Sequence, residues 1–143
     1  MRAATIAAAA LVALSVSACK EIESATVEGY EPAHVKEIAG RDDVKSVTFT
    51  AEGARRTGLR TAAVERRGGE AVVPYAALIY DAEGRAYVYT SPRPLMFLRE
   101  RVRVDRVEDG RVFLNAGPRG GTQVVTVGAA EVHGAELEIG SSH

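Results

Sequence analysis

A single cysteine, Cys19, is all that the 143-residue chain carries, so no intrachain disulfide can form and its core must hold the folded part together. Tryptophan is absent and aromatics make up only 6% of the residues. Valine, alanine, glycine and arginine dominate instead, a composition suited to short strands joined by tight turns. Neither sign of charge prevails: 18 basic residues face 19 acidic ones, a net charge of −1, which removes any overall pull toward nucleic acid. Catalytic signatures are missing too. There is no Gly-x-Ser-x-Gly elbow and no dinucleotide fingerprint, and Gly117-Pro118-Arg119-Gly120-Gly121 lacks the Lys-Ser/Thr of a phosphate-cradling loop. The paired carboxylates Asp42-Asp43 and Glu108-Asp109 have no neighbour in sequence that would tune them for proton transfer, so no enzymatic activity is expected.

Metal-ligand spacing is equally scarce. His34, His133 and His143 are far apart, and no pair stands at i, i+4. A site built from His133 with Glu131 and Glu136 competes with a solvated surface histidine, the commoner fate of such a residue. No metal and no cofactor are therefore expected.

What is present begins at the N-terminus. Met1 and Arg2 form a charged tip, Ala3 to Val16 is an apolar stretch broken only by Thr5 and Ser15, and the small residues Ser17 and Ala18 lead into Cys19. That order is the order of an export signal. The stretch is shorter than the ~20 residues of a spanning helix, and charged Lys20, Glu21 and Glu23 follow it, so residues 1–18 are read as a cleaved signal helix. Val16-Ser17-Ala18-Cys19 resembles the bacterial lipobox. The resemblance implies cleavage between Ala18 and Cys19 and a diacylglycerol on the Cys19 sulfur. Lipidation would also cap what is otherwise a free thiol in an exported protein. Each buried methylene of the acyl chains adds about 0.8 kcal/mol to the anchor. The expected location is the outer face of the cytoplasmic membrane or a periplasmic membrane face.

Residues 19–45 are Glu-rich, contain Gly29, Pro32 and Gly40, and keep neither period 2 nor period 3.6. They are read as a lipidated flexible linker, with Tyr30 and His34 as incidental members. Residues 46–140 are read as one all-β domain, a small β-barrel or β-roll of about six to eight short strands with one short helix, and residues 141–143 as a disordered tail. Within the domain, Ser46–Thr50 alternates as a strand and Ala51–Thr57 is a short helix capped by Thr50 and ended by Gly58. Leu59–Arg66 and Ala71–Tyr80 are strands, with Pro74 pointing to an edge or a bulge. Asp81 to Gly84 turns into Arg85–Thr90, Pro92 and Pro94 interrupt, and Phe97–Val107 reads as one long strand. Asp109-Gly110 marks a hairpin into Val112–Asn115. Val124–Val127 is a strand, Ala129–His133 a helical turn, and Glu136–Ile139 a last strand.

The run Val73 to Thr90, together with Gly117 to Gly128, is similar to the membrane-proximal domain of efflux periplasmic adaptors, the membrane fusion proteins of resistance-nodulation-division pumps. Val47 to Val64 resembles the opening strand and short helix of that domain. The likeness spans about residues 46–139. A full adaptor inserts a barrel, a lipoyl-like domain and a helical hairpin between the two halves of this domain, whereas Glu65 to Ala71 crosses that point here in a few residues. The resemblance therefore implies a docking part without the conduit, and as partner a membrane transporter subunit.

One pattern suggests a contact surface. Arg99, Arg101 and Arg103 alternate with Glu100, Val102 and Val104, so period 2 places three guanidinium groups on one strand face, where anionic headgroups or an acidic partner would bind. Pairing to carboxylates on a neighbouring strand is the competing reading. The expectation is an accessory or truncated adaptor-like docking lipoprotein for a transporter. A free-standing lipoprotein that captures a metal ion or small ligand is the alternative.

Overall fold

The computed structural model describes residues 31–138. Residues 1–18, read as an export signal, and Cys19, Tyr30, Ile139 and residues 141–143 lie outside the described residues. The architecture is all-β with two short helices. One antiparallel sheet runs in the order β1 (Ala33–Ile38), β2 (Arg41–Phe49), β8 (Met96–Arg101), β7 (Ala86–Arg93), β11 (Gln123–Val127), β3 (Arg60–Ala63), with β6 (Ile79–Tyr80) also on β7. A second sheet has the order β4 (Glu65–Arg67), β5 (Glu70–Pro74), β10 (Arg111–Ala116), β9 (Arg103–Glu108). Helices α1 (Ala51–Thr57) and α2 (Ala129–Glu138) complete the domain.

The central strands explain the layering. On β7, Val88 and Tyr89 are both fully buried although adjacent residues of a strand point to opposite faces, and Val124 and Val125 on β11 repeat the pattern. Tyr89 and Val125 pack with Val47, Phe49, Phe97, Ala129 and Val132 under the helices. Val88 and Val124 pack with Val64, Val73, Val102, Val112 and Leu114 between the sheets. The large sheet is thus the middle layer. Single buried residues carry the chain from one sheet to the other: Val64 between β3 and β4, and Val102 between β8 and β9.

Turn chemistry matches the sequence closely. Thr50 Oγ1 accepts from Gly53 N at 2.9 Å and Gly58 closes α1 in the left-handed region. Asp109 and Gly110 both have positive φ, 49° and 72°, as the two central residues of a type I′ hairpin require. The Asp81 carboxylate accepts from the backbone of Glu83 and Arg85 and pairs with the Arg85 guanidinium at 2.6 Å. Burial alone would raise its pKa, but the bonds from Arg85 win and hold it at about 2. Pro74 lies past the end of β4, whose register stops at Val72, so its missing donor leaves no partner strand unsatisfied on that side.

Four expectations are corrected. Residues 33–45, read as linker, belong to the β1–β2 hairpin; β1 is a polar edge strand, and Asp42 to Val44 bulge out between the pairs Ile38–Arg41 and Glu37–Lys45, which hides period 2. Strand β7 continues through Pro92 in an irregularity between Thr90 and Arg93, and the chain turns at Pro94-Leu95. Phe97–Val107 is two strands in two sheets, because the chain bends at Val102 to fill the inter-sheet core. Glu136 belongs to α2, not to a strand. Ala129, Val132 and Glu136 are buried at helical spacing, and Ala, Glu and Leu are good helix formers.

Gly53 in α1 is pressed against the chain entering β1: an added Cβ would stand within 2.3 Å of the Pro32 carbonyl oxygen, which accepts from Thr50 N at 2.9 Å. Glycine to alanine ordinarily stabilises a helix by roughly 0.5–1 kcal/mol. Gly53→Ala is expected to do the reverse and destabilise by about 1–3 kcal/mol in urea denaturation; a gain in stability would show that the Pro32 contact is not made.

Candidate functional site at the arginine strands

Strand β8 carries Phe97, Arg99 and Arg101 on the face that looks toward the helices. Phe97 is in the core there, and α2 lies over Arg99. Only 15% of the Arg99 side chain is exposed. Its Nε is 3.2 Å from Glu136 Oε2, an ion pair that lacks the alignment of a hydrogen bond, so that the N–H itself is left without an acceptor. Its Nη2 donates to the Asp43 carbonyl at 2.7 Å, and its guanidinium sits 4.8 Å from the centre of the Tyr87 ring.

Glu136 is the centre of this arrangement. Its side chain is 3% exposed, and a carboxylate so deeply placed must have its charge and oxygens satisfied. Oε2 accepts from Tyr89 OH at 2.5 Å, and Oε1 accepts from the Lys45 backbone N–H at 3.3 Å. The β2 bulge brings that N–H within reach, since Lys45 is the first residue in regular register after it. Tyr89 spends its one proton on Glu136, so its oxygen accepts from His133 Nδ1 at 2.9 Å, and Nδ1 carries a proton. Burial, and then the hydrogen bond to Glu136, push the Tyr89 phenol well above its ordinary range. His133 is accordingly half-buried and bonded, not the solvated surface residue of the sequence reading. With its polar atoms turned on one another and Tyr89 fully buried, the cluster acts as a clamp that fixes α2 on the sheet.

The predicted stripe is therefore divided. Arg99 is withdrawn from it, while Arg101 and Arg103 are both exposed and flank the bend at Val102. Together with Val102 and Ala116 they line a shallow concavity of about 300 Å³. Val102 is itself closely packed from the chain after β10: a Cβ on Gly117 would come within 2.9 Å of Val102 Cγ1. Neither arginine has a carboxylate within ion-pair distance among the described residues. Arg106, three residues further along β9, is by contrast fully engaged: it lies 3.7 Å over the Phe113 ring and bonds Glu70, Asp105 and Glu108.

The remaining sequence candidates are separate from this corner. His34 is exposed on β1 and pairs with Glu31 at 3.3 Å, and Glu131 is exposed on α2. Among the described residues no three His, Cys, Asp or Glu side chains converge as a metal site, and no helix is long and apolar enough to cross a membrane. The chain matches no protein-family model, and comparison with curated proteins finds no match. Sequence reasoning missed the Glu136 clamp. The only available signal was the spacing of Ala129, Val132 and Glu136, and a charged residue on the buried face conceals it.

Removing one partner of a buried ion pair strands the other. Glu136→Ala is expected to cost about 3–5 kcal/mol in chemical denaturation, and pairing it with Arg99→Met should recover much of that loss. Additive losses in the double variant would mean the two residues are not coupled. Because the Tyr89 pKa is raised in the folded state, its contribution is fully present below the unfolded value of 10.0 and is lost as pH rises beyond it. Stability should fall above about pH 10 as phenolate absorbance grows, with a shallower fall in Tyr89→Phe; identical alkaline profiles would contradict the buried phenol.

Proposed function

We propose that the protein is an exported, lipid-anchored docking module for a membrane transporter, an accessory or truncated relative of efflux adaptors that works without chemistry of its own. The observation that carries this reading is the Val16–Cys19 signal a short distance ahead of a folded β domain whose first strand begins at Ala33. A lipid on Cys19 keeps the domain at a membrane surface, where local concentration favours even a small contact. The likeness of Val73 to Thr90 and Gly117 to Gly128 to the membrane-proximal part of adaptors supports a transporter as the partner. Few residues join β3 to β5, with only β4 between them, so the chain supplies nothing at the point where full adaptors insert their conduit domains.

Cys19→Ala is expected to shift the protein from the membrane to the soluble fraction while the domain stays folded, as followed by fractionation and circular dichroism. Continued membrane association would show that the lipid is not the anchor. Cross-linking the lipidated protein in its native membrane should capture a transporter subunit; repeated recovery of no membrane protein would defeat the docking role.

A further inference from the structure

The docking role leaves open which surface makes the contact and what it meets. We infer that the corner formed by Arg101, Val102 and Arg103 is the contact, and that it takes a carboxylate-bearing protein surface in preference to lipid headgroups. The inference rests on the docking role proposed above.

Three observations carry it. First, Arg101 and Arg103 have no carboxylate partner among the described residues, whereas Arg99, one turn of the alternation away, is consumed by Glu136. Two guanidinium groups on one concavity offer forked donors to planar acceptors, which suits carboxylates, and their charge steers an acidic partner in. Second, the floor between them is apolar, Val102 and Ala116, so a partner can bury side-chain carbon as well as charge.

The third observation is where the tether enters. The Pro32 carbonyl accepts from Thr50 N, Ala33 pairs with Phe49, and Phe49 N donates to the Leu95 carbonyl. The chain coming from Cys19 thus joins the domain beside the β7–β8 turn. Arg101 is six residues along β8 from Leu95, about 20 Å at ~3.3 Å per residue. The tether therefore enters the domain at the Leu95 end of β8, and a domain held there can turn the arginine corner toward a protein that stands out from the bilayer.

The test uses the mature chain carrying Cys19→Ala, with NMR of the arginine Nε–H groups during titration with a hexaglutamate peptide and, separately, with phosphatidylglycerol vesicles at low salt. Saturable shifts centred on Arg101 and Arg103 with the peptide are expected, weakened about tenfold in Arg101→Gln/Arg103→Gln. The Tyr89 and His133 signals should stay unchanged, which reports that this variant keeps its fold. Response to vesicles but not to the peptide would make the corner a headgroup site and overturn the inference, as would peptide binding that the double variant retains or no binding at all. In native membranes, a transporter cross-link that survives Arg101→Gln/Arg103→Gln would defeat this contact yet leave the docking role standing. Absence of any cross-link in the unaltered protein would defeat the role itself.

Discussion

A buried carboxylate needs partners, and the way Glu136 finds them organises one whole side of this domain. The Tyr89 hydroxyl, the Lys45 backbone N–H and the Arg99 guanidinium come from three neighbouring strands, and α2 brings the carboxylate down onto them. Each supplier is constrained in turn. Lys45 is placed by the β2 bulge, Arg99 is held from below by the Asp43 carbonyl and beside the Tyr87 ring, and Tyr89 takes a second bond from His133. Such a cluster is worth little as net attraction after desolvation, but it strongly penalises any arrangement in which α2 is absent or shifted.

The same clamp decides what the surface offers. Of three arginines in perfect alternation, the one beneath α2 is neutralised and covered, and the two beyond the helix remain free. The bend at Val102 then turns a flat stripe into a corner with an apolar floor, because that residue must leave the first sheet to fill the space between sheets. Packing demands made in the interior thus shape the candidate contact.

Much of the fold was legible in the sequence wherever a local rule dominates. Thr50 and Gly58 bound α1, Asp109-Gly110 makes the β9–β10 hairpin, and Asp81 to Gly84 makes the β6–β7 turn, since caps and turns depend on a few adjacent residues. Long-range contacts override local pattern elsewhere. Edge strand β1 has only Ala33 and Val35 to pack, and the bulge at Asp42 to Val44 breaks the alternation in β2, so a hairpin looked like a spacer. In α2 the charged Glu136 sits where an apolar residue marks a buried helix face, and Glu136-Leu137-Glu138-Ile139 alternates as a strand would. Within the candidate site, period 2 treated Arg99, Arg101 and Arg103 alike, and separating them required knowing that α2, whose Glu136 is 91 residues beyond Lys45, folds back over Arg99.

The sequence by itself determined the all-β class, the turns and the first helix, because each depends on residues close together in the chain. Only the tertiary structure decided that β7 and β11 are buried on both faces, that Phe97 to Val107 divides between two sheets, and which arginines stay free. Those outcomes depend on what lies across the sheet or over it. A charge is spent or available according to its neighbours in space, and no spacing along the chain records them.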